Sequence, residues 1–117
     1  MNEEIGVDIV SKERFNQNDP NFNSFLDKIF TKKERDYCFK SADKSLCFSG
    51  KYAAKEAVIK VLSDKNISIA HVKQIEILND SNGKPFLNKC PIKNIKNRIS
   101  LSISHDKDLA IAVAIQS

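Results

Sequence analysis

No stretch of this 117-residue chain approaches the ~18 consecutive apolar residues of a membrane-spanning helix. The opening residues, MNEEIGVDIV, are acidic, and their apolar run is too short for a secretory signal. These absences set the expectation of a cytoplasmic protein with no membrane contact. Cysteine is scarce: Cys38, Cys47 and Cys90 are odd in number and lack CxxC spacing, so they read as reduced thiols. Glycine and proline number 3 each, and no repeat, low-complexity tract or linker interrupts the sequence, which leaves one domain over residues 1–117. Neither sign of charge dominates. The 19 Lys and Arg against 15 Asp and Glu give +4 and a pI near 9.0. Basic residues are mixed with acidic ones and form no aromatic-basic platform, so nucleic acid is not expected, while the modest positive balance suits an anionic partner.

What is present is charge where a helix should be dry. Phe48 to Leu62 reads FSGKYAAKEAVIKVL; at 3.6 residues per turn, Ala54, Ala57, Val58, Val61 and Leu62 make an apolar stripe. Tyr52, Glu56 and Lys60 share another face at i, i+4 and i+8. That face admits two readings. One is a solvated Glu56–Lys60 pair worth a few tenths of a kcal/mol; in the other, the small Ala53, Ala54 and Ala57 leave room for another element, a ligand or a metal to approach Glu56.

A second carboxylate bears on the choice. Asp8 lies in Ile5-Gly6-Val7-Asp8-Ile9-Val10, a run that suits a short buried strand. An acidic residue there must be paired, protonated or bound to a cation, unless it ends the strand and caps the next helix. Two carboxylates with lysines nearby, and no Cys/His spacing of the zinc type, suit a hard cation such as Mg²⁺, which keeps waters and commonly meets phosphate oxygens.

Periodicity organises the rest. Glu4 to Val10 is expected as a strand and Lys12 to Asn16 as the start of a short helix, followed by a turn at Asn18 to Asn21. Phe22, Phe25, Leu26 and Ile29 give a helical stripe, and Thr31 with Glu34 has the capping-box pattern for a helix running to about Lys40. Asp43 is placed to cap the long helix carrying Glu56, and Gly50 inside it costs roughly 1 kcal/mol, tolerable where a close contact requires it. Val72 to Leu78 alternates as a strand, Asn82-Gly83 signals a hairpin, and Pro85 to Leu87 begins the return. Pro91 to Asn97 is expected as a short helix, and Ile99 to Ile103 and Ile111 to Ile115 as strands joined by a turn over His105 to Asp108. Helices first and antiparallel strands second make an α+β plan, with the apolar final strands covered on both faces.

Several ordered pieces then resemble the holo-acyl-carrier-protein synthase family, the small bacterial phosphopantetheinyl transferases. They are Gly6-Val7-Asp8-Ile9, Arg14, Phe30-Thr31 followed by Glu34, Gly50 to Ala57 with Lys60, Asn82-Gly83-Lys84-Pro85 and Ser102-Ile103-Ser104-His105. Any one is common; in this order across nearly the whole chain they are specific. The resemblance implies Mg²⁺-dependent transfer of the 4′-phosphopantetheine arm of coenzyme A to a serine of an apo-acyl carrier protein, releasing 3′,5′-ADP and supporting fatty acid biosynthesis. It further implies a homotrimer with sites at subunit interfaces. Asp8 and Glu56 match the metal ligands, with Glu56 also the candidate for taking the serine proton and Lys60 for balancing charge on the diphosphate. Lys60, Gly83, Lys84, Pro85 and His105 are the candidates for holding coenzyme A. Arg14 falls where the family uses a basic helix to hold the acidic carrier protein, and Lys28, Lys32 and Lys33 extend that surface.

The chain departs from the pattern in two places. Where the family has a Gly-Thr-Gly-like loop after the long helix, this chain has Ser63-Asp64-Lys65-Asn66, whose Asp64 brings negative charge toward any phosphate. Lys51 and Tyr52 stand where arginine and phenylalanine are usual. An alternative use of Asp8, Glu56 and Lys60 is a Mg²⁺-dependent nuclease or phosphohydrolase, which would want a further carboxylate, with Asp106 and Asp108 as its late candidates.

Overall fold

A computed structural model describes residues 3–63 and 69–117. Its order is β1 (Glu4–Ser11), a 3-10 turn (Lys12–Phe15), α1 (Phe22–Ile29), α2 (Lys32–Phe39), α3 (Lys44–Val61), a 3-10 segment (Ile69–Gln74), β2 (Glu76–Asn79), β3 (Pro85–Lys89), a 3-10 turn (Lys96–Arg98), β4 (Ile99–Asp106) and β5 (Leu109–Gln116). The strands form an antiparallel sheet in the order β1-β5-β4 and a separate β2-β3 hairpin, the α+β plan expected.

Alternation decides what α3 rests on. Gly6, Asp8 and Val10 of β1 stand beside Ala114, Ala112 and Ala110 of β5, which pair in turn with Leu101, Ile103 and His105 of β4. The three buried alanines form a shallow floor, so α3 lies close to the sheet and buries Ala53, Ala54, Ala57 and Val58 against it. Gly6 makes the approach closest: a Cβ there would overlap the Ala57 carbonyl oxygen and come within 3.1 Å of Lys60 Cβ. On the far side of α3, Phe15, Phe30 and Phe48 pack with Phe22 and Phe25 into an aromatic core, Phe15 stacked on Phe25 and Phe22 edge-on to Phe48.

Both helix starts behave as read. Thr31 Oγ1 accepts from Glu34 N while Glu34 Oε1 accepts from Thr31 N at 2.8 Å, and Asp43 accepts from Leu46 N at 3.0 Å. Glu34 does more than cap. It is fully buried against Lys55 Nζ at 2.8 Å, and its other oxygen accepts from Ile77 N at 2.7 Å. Breaking such a pair from one side would cost about 3–5 kcal/mol.

Four expectations are corrected. Val72 to Gln74 is 3-10 rather than strand, because the Val72 carbonyl accepts from Ile75 N and Lys55 Nζ, leaving it no ladder partner. Pro91 to Asn97 forms no helix up to Lys96: Asn94 takes φ 63, a left-handed conformation that interrupts one. His105 and Asp106 belong to β4, and the turn shrinks to Lys107 and Asp108, with Lys107 at φ 55. Cys38 and Cys47 are not separate thiols but a disulfide across the α2–α3 corner, Cα to Cα 5.5 Å, while Cys90 is free. The α2–α3 reversal supplies the proximity, which residue spacing alone does not show.

The other face of the sheet is left open by the described residues. Ile5 pairs with Ile115, Val7 with Val113 and Ile9 with Ile111, and Ile5, Val7 and Ile9 are 71%, 48% and 59% exposed.

Candidate active site

Asp8 faces α3 from the middle of β1, where a strand would otherwise carry an apolar side chain. Its partner is Lys60, whose Nζ donates to the Val7 carbonyl at 2.7 Å and lies 3.5 Å from Asp8 Oδ1. Lys60 is therefore drawn to the strand, and among the described residues it forms no ion pair with Glu56. Glu56, one turn earlier on the same face, is left with a buried Oε1 that has no hydrogen-bond partner. Leaving a carboxylate oxygen dry and unpaired is costly, so the position demands a donor or a cation. The solvated-pair reading of this face does not describe the molecule.

Tyr52 and Arg14 extend the line. Burial of the Tyr52 hydroxyl, and then the Glu56 carboxylate beside it, raise its pKa against the opposing pull of Arg14. The Arg14 guanidinium stands 5.1 Å from the Tyr52 ring centroid, at the exposed end of this row. One edge of the molecule thus runs from Arg14 through Tyr52 and Glu56 to Lys60 and Asp8.

A pocket of about 300 Å³ opens toward the other end of α3. Gly83 and Pro85 of the hairpin, Ile103 and His105 of β4, and Gly50 and Lys51 of α3 line it, with Tyr37 at its mouth. Gly50 makes room for β4: a Cβ would meet His105 Nε2 at 2.8 Å and Ile103 Cγ2 at 3.1 Å, so both side chains would have to shift. Asp43, at the pocket edge, is held below the usual carboxylate range by the Leu46 amide and then by Lys12. Gly83 takes φ 83, the left-handed geometry its turn needs.

Three of the expected coenzyme residues, Gly83, Pro85 and His105, therefore share one pocket. Two do not: Lys84 is exposed on the turn with its amide bonded to Asp80, and Lys60 belongs to the carboxylate cluster. Neither Asp8 nor Glu56 lines the pocket. Six residues of helix separate Gly50 from Glu56, about 9 Å of rise. Residues 64–66 of the departing loop lie outside the described residues. Tyr37 and Asn79 were not expected at the site; neither has a sequence signal beyond its place beside the α2–α3 corner or the hairpin. A larger, shallow depression of about 790 Å³ around Asn88 to Asn97 contains none of the expected residues.

Oxygen ligands alone, one of them buried and unpartnered, fit a hard divalent cation at Asp8 and Glu56. Among the described residues no third Asp, Glu, His or Cys joins them, and Asp106 and Asp108 are exposed at the β4–β5 turn, with Asp108 near Lys12. The nuclease alternative thus gains no further carboxylate from the described residues.

Known proteins resemble this chain over nearly its whole length. The model of the 4′-phosphopantetheinyl transferase superfamily matches residues 4–114. That defines the class. Holo-[acyl-carrier-protein] synthase of Caldicellulosiruptor saccharolyticus is 43% identical over 117 residues, covering 95% of this chain and 93% of the relative. The Protochlamydia amoebophila protein of the same name is 37% identical, covering 97% and 96%. The crystal structure of Helicobacter pylori holo-[acyl-carrier-protein] synthase in complex with coenzyme A superposes with a TM-score of 0.79 at 33% identity, covering 97% of this chain and 99% of that one. This chain belongs to the holo-[acyl-carrier-protein] synthase family.

Proposed function

We propose that this chain transfers the 4′-phosphopantetheine arm of coenzyme A to a serine of an apo-acyl carrier protein, acting in the cytoplasm as a homotrimer in support of fatty acid biosynthesis. The observation that carries the reading is the buried, unpartnered Glu56 Oε1 on the helix face opposite Asp8. Together with family membership, it calls for a cation at a site that handles phosphate. Asp8 and Glu56 would hold Mg²⁺, which when bound would neutralise diphosphate charge and steady the leaving group.

The chain's own residues do the rest. Glu56 takes the proton of the carrier serine. The serine oxygen forms its bond to the β-phosphorus as the bond from that phosphorus to the oxygen of 3′,5′-ADP breaks. Lys60 offers its ammonium to the charge that gathers on the diphosphate, and the pocket with Gly83, Pro85 and His105 holds the coenzyme. Arg14, exposed at the end of the carboxylate row, receives acidic side chains of the carrier.

Assembly follows from two features. The Ile5, Val7, Ile9, Ile111 and Ile115 face is apolar and open, which suits burial against other copies. The pocket and the carboxylates do not meet within one chain, so in the trimer one subunit's pocket presents coenzyme A to its neighbour's carboxylates. The test is mass spectrometry of an apo-acyl carrier protein incubated with this chain, coenzyme A and Mg²⁺. A phosphopantetheine mass gain abolished by EDTA is expected; no gain with several apo carriers would sink the reading.

A further inference from the structure

Lys51 is the most buried cation beside the pocket, at 3% exposure. Its Nζ donates to the Ile77 carbonyl at 2.6 Å and to Asn79 Oδ1 at 2.6 Å, and lies 4.8 Å from the Tyr37 ring centroid. An ammonium has three donors. Two are used by these hydrogen bonds, and the Tyr37 ring faces the ammonium as a cation–π partner. Burial lowers its pKa to about 8, against the raising effect of Glu34. So costly a charge needs a structural return.

That return is the hairpin. Asn79 Nδ2 donates to the Gly83 carbonyl at 3.1 Å, and Asp80 accepts the Asn82 and Lys84 amides at 2.9 Å, which makes the turn one stiff unit. Among the described residues, no other α3 side chain hydrogen-bonds to the β2–β3 hairpin. Lys51 is the tie between the pocket's two walls.

We infer that Lys51 is a positioning residue for coenzyme A: it clamps Asn79, and through it the Gly83-to-Pro85 wall, against α3, and sets the pocket's width without touching the ligand. The inference rests on the pocket being the coenzyme site. It differs from a direct phosphate contact in what each would do to a coenzyme lacking its 3′-phosphate.

The test compares wild type, Lys51→Met and Asn79→Ala with coenzyme A and with dephospho-coenzyme A. Loosening the wall should raise KM for both coenzymes by a similar factor, roughly tenfold. Expected kcat and carrier KM change by less than about twofold. The double variant should be little worse than Lys51→Met alone, because both residues act on one wall. Amide hydrogen exchange should speed at residues 77–85 in both variants while α3 stays protected. A KM rise seen with coenzyme A but absent with dephospho-coenzyme A would overturn the clamp in favour of a phosphate contact. Unchanged KM and unchanged exchange would overturn it outright. Should Lys51→Met not fold, Asn79→Ala decides by the same two readouts. Absence of any transfer by wild type would instead refute the function, and the exchange measurement would still judge the clamp.

Discussion

Replacing Gly6 with alanine adds one methyl group where β1 lies directly against α3. In a strand the change is favourable by roughly 0.5–1 kcal/mol, since alanine has less chain freedom to lose. Against that, the new Cβ overlaps the Ala57 carbonyl oxygen and crowds Lys60 Cβ at 3.1 Å. The main obstacle is backbone within a helix and cannot swing aside, so relief requires α3 to lift from β1. Overpacking of this kind costs about 1–3 kcal/mol, and with no flexible neighbour the upper part of that range applies. The net is a destabilisation of about 1–2 kcal/mol, which at roughly 4 °C per kcal/mol lowers Tm by about 4–8 °C. The same displacement carries Lys60 and Glu56 away from Asp8, so transfer should fall by about ten- to a hundredfold even well below Tm, where the variant is folded. Calorimetry and a transfer assay at 20 °C measure the two effects. A Gly6→Ala protein with wild-type Tm and rate would refute the claim that this glycine sets the distance between strand and helix.

Other expectations follow from the same geometry. Glu56→Gln keeps the shape and should lower transfer by roughly 10²-fold or more with helical content intact; Asp8→Asn should match it, and the double variant should be little worse, as kinetics at saturating Mg²⁺ will show. Arg14→Ala should raise KM for the carrier more than for coenzyme A, with added salt weakening wild-type carrier binding in the same direction, and equal changes would place Arg14 in the coenzyme site. Lys51 has its pKa lowered to about 8 by burial, with Glu34 and Glu76 opposing and Lys55 adding to the fall. Because the unfolded lysine holds its proton up to about 10.4, the unfolded state binds more protons between those values, and stability should rise with pH across that window. The contribution is about 3 kcal/mol, and urea midpoints at pH 7.5 and pH 10 should show it in wild type and lose it in Lys51→Met.

The candidate site was legible where charge stood in dry sequence. Asp8 inside an apolar strand and Glu56 beside three alanines could be read without a structure, because burial of an unpaired carboxylate is costly enough to need a reason. Gly50 was legible for a related reason: a glycine in mid-helix implies a close neighbour, and His105 is that neighbour. What periodicity could not reveal was competition for backbone groups. The Val72 carbonyl, claimed by Lys55 and Ile75, turned an alternating stretch into a 3-10 segment. The Cys38–Cys47 bond was hidden likewise, since it depends on how sharply α2 turns into α3. Nor could spacing show that the pocket and the carboxylates occupy different stretches of α3. Motif order places both sets on one chain, while only the fold shows that they do not converge there.

In the proposed trimer, the isoleucine pairs on the open side of the sheet would make concentration a structural variable. Ile5 with Ile115 and Ile9 with Ile111 lie on strands whose opposite face carries Asp8 and receives α3, so whatever covers the outer face also stiffens the bed on which the carboxylates sit. Stability gained through association grows with protomer concentration by mass action. Dilution would therefore loosen the strand holding Asp8 before it unfolded the aromatic core. In the proposed trimer, such a catalyst would lose its competence at low abundance through the same face that protects it at high abundance.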